Sequence, residues 1–156
     1  MKKTPAGWPR ITPSVYYEDP RSAIDWLCRA FGFEVRLKVE GEGGRIEHSE
    51  LEFGGDGLIM IGTAGPGDPA KEAWQQFYAS PKSIDGRSTQ GLAIFVDDVD
   101  AHCERAKAAG AKIFRELSTS DYGEDYWSDR SYGAKDPEGH HWWFMQRVRD
   151  QKSHAK

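Results

Sequence analysis

The sequence is poor in cysteine, in methionine and in long apolar runs. Its two cysteines, Cys28 and Cys103, fall inside helix-like patterns and form no metal-type pair, so a disulfide scaffold or zinc module is not expected and both read as reduced, structural thiols. No apolar run approaches the ~20 residues of a membrane helix, and Met1-Lys2-Lys3 leads into Thr4-Pro5-Ala6-Gly7 rather than an apolar core, so no membrane partner and no signal peptide are expected. A cytoplasmic setting follows. There is no basic block, and the formal net charge is −4, which gives no reason to expect nucleic acid. No nucleophile with a neighbouring base, P-loop or dinucleotide fingerprint occurs. Gly41-Glu42-Gly43-Gly44 has no helix after it and reads as a hairpin loop rather than a phosphate cradle. What remains is a chain long enough to bury roughly 70 % of its unfolded surface, with a small molecule or another protein chain as its partner.

The strongest local signal lies near the end. Asp136-Pro137-Glu138-Gly139 has proline and glycine where a turn needs them, and it feeds an aromatic strand from His141 to Gln146 whose side chains alternate between faces. Upstream, residues 1–10 read as a flexible arm. Ile11 to Glu18 reads as a strand and Asp19-Pro20 as a helix start, with Ala23, Ile24, Leu27, Ala30 and Phe31 at helical spacing and Gly32 as the stop. Phe33 to Val39 and Ile46 to Phe53 form a hairpin, and Leu58 to Thr63 a further strand. Residues 64–90 are a linker with a helix from Pro69 to Tyr78 behind Asp68, whose Trp74 and Phe77 imply that it docks.

Gly91 to Asp97 then reads as a strand, and Asp98 caps a helix with Val99, Cys103 and Ala106 on its apolar face, ended by Gly110. Moving 79 positions along the chain lays Asp98 on Asp19, Cys103 on Ile24 and Ala106 on Leu27. Strands at Lys112 to Leu117, within Tyr126 to Lys135, and from His141 complete the set. The chain is therefore a repeat of two βαβββ modules, residues 11–63 and 91–147, with residues 148–156 as a disordered tail.

With the repeat, the openings Tyr17-Glu18-Asp19-Pro20 and Val96-Asp97-Asp98-Val99-Asp100 and the closing Asp136-Pro137-Glu138-Gly139-His140 resemble the vicinal oxygen chelate superfamily. Trp127-Ser128-Asp129-Arg130-Ser131-Tyr132-Gly133 resembles its glyoxalase/bleomycin-resistance branch and PhnB-like relatives. The resemblance implies an α+β fold: a curved, mostly antiparallel eight-stranded sheet with helices on its outer face. It says little of the reaction, because the superfamily hosts lyases, isomerases, dioxygenases, thiol transferases and non-catalytic drug-binding proteins.

Metal-dependent members carry four ligands, usually two His and two Glu, from the first and last strand of each module. Counted from the helix caps and turns, those positions fall here on Thr12, Ile61, Gly91 and Trp143, which offer no ligand set. The expectation is no metal and no cofactor. Glu47, His48, Glu138, His140 and His141 are the only substitutes, and within Glu47-His48 and His140-His141 strand neighbours face opposite sides. His102 and His154 read as surface residues.

The ligand face of such a sheet would be lined by Thr12, Ser14 and Tyr16 from the first strand. Ile59, Ile61 and Thr63 would come from the fourth, Gly91, Ala93 and Phe95 from the fifth, and His141, Trp143 and Met145 from the last. Arg130 and Glu116 would supply charge at its rim. Such an aromatic, apolar lining suits a planar organic ligand; the alternative is that residues such as Tyr16 and Phe95 merely fill the core. The expected function is binding or sequestration of a planar aromatic or antibiotic-like molecule. A metal-dependent lyase or extradiol-type dioxygenase with displaced ligands stands second, and an accessory domain third. A homodimer is expected from the relatives and from the open sheet edges. Tyr122 to Trp127 reads as a surface loop, either a lid or inert.

Overall fold

The computed structural model describes residues 1–65 and 74–152. The chain divides into two compact units, Met1–Gly86 and Arg87–Lys156. The first carries β1 (Ser14–Tyr17), α1 (Pro20–Phe31), β2 (Glu34–Glu40), β3 (Ile46–Phe53) and β4 (Gly57–Thr63). The second carries β5 (Gly91–Phe95), α2 (Val99–Ala108), β6 (Lys112–Asp121), β7 (Ser128–Lys135) and β8 (His141–Arg149). The eight expected strands are present as two four-stranded sheets, ordered β1-β4-β3-β2 and β5-β8-β7-β6. In each, one parallel pair (β1 with β4, β5 with β8) joins two antiparallel pairs.

The helices form where capping and spacing favour them. The Asp19 carboxylate accepts from the Ser22 amide at 3.1 Å and its hydroxyl at 2.6 Å, and these bonds hold its pKa below the usual carboxylate value. Pro20 occupies the first turn, and Gly32 ends the helix at φ 84°, a left-handed conformation other residues resist. Between them Ala23, Ile24, Leu27, Ala30 and Phe31 are all buried. Each of the larger three contributes roughly 1.5–3 kcal/mol by leaving water. In α2, Asp98 accepts from the Ala101 amide at 2.9 Å, and Val99, Cys103 and Ala106 are fully buried.

The bounds differ from expectation in ways the backbone explains. β1 begins at Ser14 rather than Ile11: the Pro13 carbonyl accepts from the Met60 amide, and the chain before it leaves the sheet, so Ile11 is 83 % exposed. β6 runs on to Asp121, and β8 continues to Arg149, into the expected tail. Of the expected helix from Pro69 to Tyr78, residues 69–73 lie outside the described part, as does His154. What is described is a single 3₁₀ turn, Gln75–Phe77. The docking there is made by Tyr78, stacked on Tyr16 at 4.0 Å, while Phe77 is 79 % exposed.

The Asp136 turn is built as its sequence implies. Gly139 has φ 95°, and its amide donates to the Asp136 carbonyl at 3.0 Å. The buried Asp136 carboxylate accepts the amides of Glu138, Gly139 and His140 and, at 3.0 Å, the indole N–H of Trp142. That last bond ties the turn to the core strand that follows it.

Candidate functional site

In each unit the sheet has one face against its helix and one turned away from it. In the second unit the helix side is unambiguous: Tyr132 donates or accepts a 2.7 Å bond with His102 Nδ1 of α2, and the His102 ring lies 4.2 Å from Phe144. Trp142 and Phe144 are fully buried there. Cross-strand partners share a face. The face turned away therefore carries Gly91, Ala93 and Phe95 of β5, His141, Trp143 and Met145 of β8, and Lys135, Gly133 and Ser131 of β7.

All six residues predicted for this face from β5 and β8 lie on it. Phe95 is 55 % exposed, and Trp143 and His141 are half-buried. They are joined by one the sequence did not reveal: Phe114 stacks on His141 at 4.8 Å and stands edge-on to Trp143 at 5.2 Å. Gly133 makes this possible, since a Cβ there would lie 2.5 Å from Phe114 Cζ. Gly91 leaves space beside the indole, 3.5 Å from Trp143 Cδ1 to where its Cβ would be. Burial, and secondarily Lys135, lower the His141 pKa, and its buried Nε2 has no hydrogen-bond partner among the described residues.

Charge reaches this face from arginines other than the predicted one. Arg130 lies on the opposite, helix-facing side, two residues before Tyr132 on the strand, with both guanidinium bonds to Asp100 of α2 at 2.6 and 2.7 Å. Glu116 is on that side too, 3.7 Å from Lys107. The residues on the site face are Arg115, whose guanidinium lies 5.6 Å from the Trp143 ring centre, and Arg147, 5.5 Å from Phe95 and bonded to Asp129 at 2.5 Å. Irregular pairing between Ile113 and Arg115 causes the change: Phe114 is an extra residue in β6, and a bulge turns the following side chain to the other face.

In the first unit the same logic moves Ile61. It pairs with Val15, and both are 1 % exposed, so Ile61 packs in the core rather than on the predicted face. Ile59 and Thr63 share its phase. The face away from α1 instead carries Ser14 and Tyr16 of β1 with Met60 and Gly62 of β4. Met60 opposite Ser14 matches Trp143 opposite Ala93, so the first-unit position equivalent to Trp143 is Met60 rather than the expected Ile61. Tyr16 lies over Gly62, where a Cβ would meet its ring at 2.7 Å, and Tyr78 covers its other side. Thr12 precedes the strand. His102, read as a surface residue, is buried against Tyr132.

The superfamily implies a divalent metal in many members, and the residues present do not fit one. The ligand positions hold Thr12, Met60, Gly91 and Trp143, and among the described residues no group of three or more His, Cys, Asp or Glu is placed to hold a metal. Of the substitutes, His48 bonds Glu50 at 2.9 Å, and Glu50 also meets Arg36 at 3.4 Å, which neutralises it. His140 bonds Asp136 within its turn at 3.2 Å. Elsewhere in the first unit, a groove of about 550 Å³ lies between the segment 3–10 and Arg36, Glu52 and Leu58, with Trp8 under the Arg36 guanidinium. It contains none of the predicted residues.

Two βαβββ units of this topology define the vicinal oxygen chelate class. The Glyoxalase/Bleomycin resistance protein/Dioxygenase superfamily model matches residues 10–144, and the chain belongs to that superfamily. An uncharacterized protein of Mycobacterium tuberculosis, Rv0887c, is 30 % identical over 142 residues, covering 91 % of this chain and 76 % of its own. The crystal structure of TioX from Micromonospora sp. ML1 is similar at 32 % identity and TM-score 0.64, covering 88 % of this chain and 95 % of that one. The fosfomycin resistance protein FosX from Listeria monocytogenes shares the fold at 16 % identity and TM-score 0.59, covering 89 % and 93 %. Among the described residues no helix is long and apolar enough to cross a membrane.

Proposed function

We propose that the chain is a binding protein of the bleomycin-resistance type, which holds a planar aromatic or antibiotic-like molecule against the second unit's sheet without a metal cofactor. The observation that carries this is Trp143. It occupies a strand position where metal-binding relatives place a carboxylate, remains half-exposed, and is walled by Phe114 with space left at Gly91. An indole cannot ligate, but stacking on it is worth about 0.5–1.5 kcal/mol beyond area burial.

Calorimetric titration of planar aromatic compounds against wild type and Trp143→Ala tests it. The variant should bind the best compound several-fold more weakly; unchanged binding with a much lower melting temperature makes Trp143 core and sinks the reading. A stoichiometric divalent ion in protein purified without chelator, whose removal abolishes activity on a dicarbonyl or catechol, would favour the metal-dependent alternative. The free thiols of Cys28 and Cys103 agree with a cytoplasmic setting.

The proposal includes a homodimer. β2 ends its sheet and carries Val35, Leu37 and Val39 at 48, 43 and 42 % exposure, an apolar edge of the kind that a second chain covers. Sedimentation at micromolar protein tests this, and a concentration-independent monomer would remove it.

A further inference from the structure

We infer that the molecule bound on this face is an aromatic acid, a planar ring system carrying a carboxylate, and that Arg115 receives the carboxylate. The inference rests on the binding reading above and adds the ligand's charge. Three other arginines of this unit have carboxylate partners: Arg130 with Asp100, Arg147 with Asp129 and Arg149 with Asp121. Arg115 has none among the described residues. Its hydrogen bonds are to the hydroxyls of Ser118 at 3.5 Å and Ser120 at 3.4 Å, both long, which leaves most of a five-donor fork unused. Arg115 is exposed, and the bulge in β6 sets its guanidinium beside the Trp143 indole.

The surroundings reinforce the sign. Lys135 is paired across the sheet with His141 and so lies on the same face, again with no carboxylate partner among the described residues. The carboxylate of Asp129 on that face is already taken by Arg147. A locally cationic, aromatic surface in a chain of net charge −4 selects against cations and for anions. A ring resting on the Phe95–Trp143 surface with a carboxylate at its edge satisfies both halves of the site: apolar contact below, and a planar fork that matches a carboxylate bidentately.

The test uses 2-naphthoate and its neutral isostere 2-naphthamide, titrated into the full chain, Arg115→Gln, Arg115→Lys and Trp143→Ala, with each variant's fold checked by circular dichroism. Wild type should bind naphthoate about tenfold tighter than naphthamide, the size of one charge-assisted hydrogen-bond pair. Added salt should weaken only the naphthoate. Arg115→Gln should erase the preference by weakening naphthoate about tenfold and naphthamide far less, and Arg115→Lys should keep part of it. Equal affinity for both probes in wild type, still lost in Trp143→Ala, overturns the inference and leaves the aromatic reading standing. Failure of both probes to bind wild type at millimolar concentration removes the platform and the inference with it. Should Arg115→Gln unfold, the salt dependence and Arg115→Lys still decide: a preference for naphthoate indifferent to both also overturns it.

Discussion

The ring of Phe114 lies on the bare backbone of Gly133, and nothing larger than hydrogen fits between them. Phe114 in turn fixes His141 by stacking and Trp143 by edge contact. Gly133→Ala should therefore push the ring aside and disturb the aromatic cluster. Overpacking of this kind costs about 1–3 kcal/mol. Chemical denaturation should show that loss, with a changed near-ultraviolet dichroism from Trp143; a variant unaltered in both would mean that the ring relaxes freely.

His102 and Tyr132 share a buried hydrogen bond between α2 and β7. Burial, and then Cys103, push the Tyr132 phenol well above its ordinary pKa. A raised folded-state pKa means that the stability is fully present below the unfolded value, near 10, and is lost as pH rises toward the folded one. Urea melts should thus weaken from about pH 10 upward. Tyr132→Phe should blunt that alkaline slope and cost about 0.5–1.5 kcal/mol at neutral pH by removing the buried hydrogen bond with His102. An alkaline slope identical in the variant would assign it to other groups.

Much of this was legible in the sequence, for local reasons. Asp19 and Asp98 cap helices, Gly32 ends one, and Asp136 organises its turn because each acts on residues within a few positions. The alternation of β8 was also readable, since no bulge interrupts Gly133 to Lys135 against His141 to Trp143. Failures came where phase depends on distant pairing. The bulge in β6 carries no glycine to mark it, so alternation in the sequence does not show that Phe114 and Arg115 share the site face while Glu116 lies on the other. Counting from a turn predicts one face for Ile61, whereas its pairing with Val15 sets the other. His102 looked solvated because its partner lies 30 residues further on.

Asp136 is the acceptor for three backbone amides and the Trp142 indole, with its side chain fully buried. Asp136→Ala strands those donors, each worth about 1–3 kcal/mol when left unsatisfied. The expected loss exceeds about 3 kcal/mol even after relaxation. Asp136→Asn keeps the volume and an acceptor oxygen and should lose less. Comparing the two by denaturant unfolding checks the hub: equal and small losses would show that water replaces the carboxylate.

Arg149 fastens the loop from Tyr122 to Trp127. Its guanidinium donates to the carbonyls of Gly123 and Tyr126, both at 3.0 Å, and to the Asp121 carboxylate at 2.5 Å, which also accepts the Gly123 amide at 2.9 Å. The Gly123 amide first, and Arg149 after it, hold the Asp121 pKa below its ordinary value. A lowered folded-state pKa contributes stability above the unfolded value, near 4, that is lost as pH falls through the folded one, so acid should loosen this loop. Arg149→Ala should loosen it at neutral pH. Exposed ion pairs contribute little to global stability, so the melting temperature should barely move. Hydrogen exchange at the Tyr122 amide, which donates to the Trp127 carbonyl at 3.0 Å, should accelerate in the variant, as should proteolytic cleavage between residues 122 and 127. Unchanged exchange and cleavage would show that the Tyr122–Trp127 turn holds the loop without its arginine.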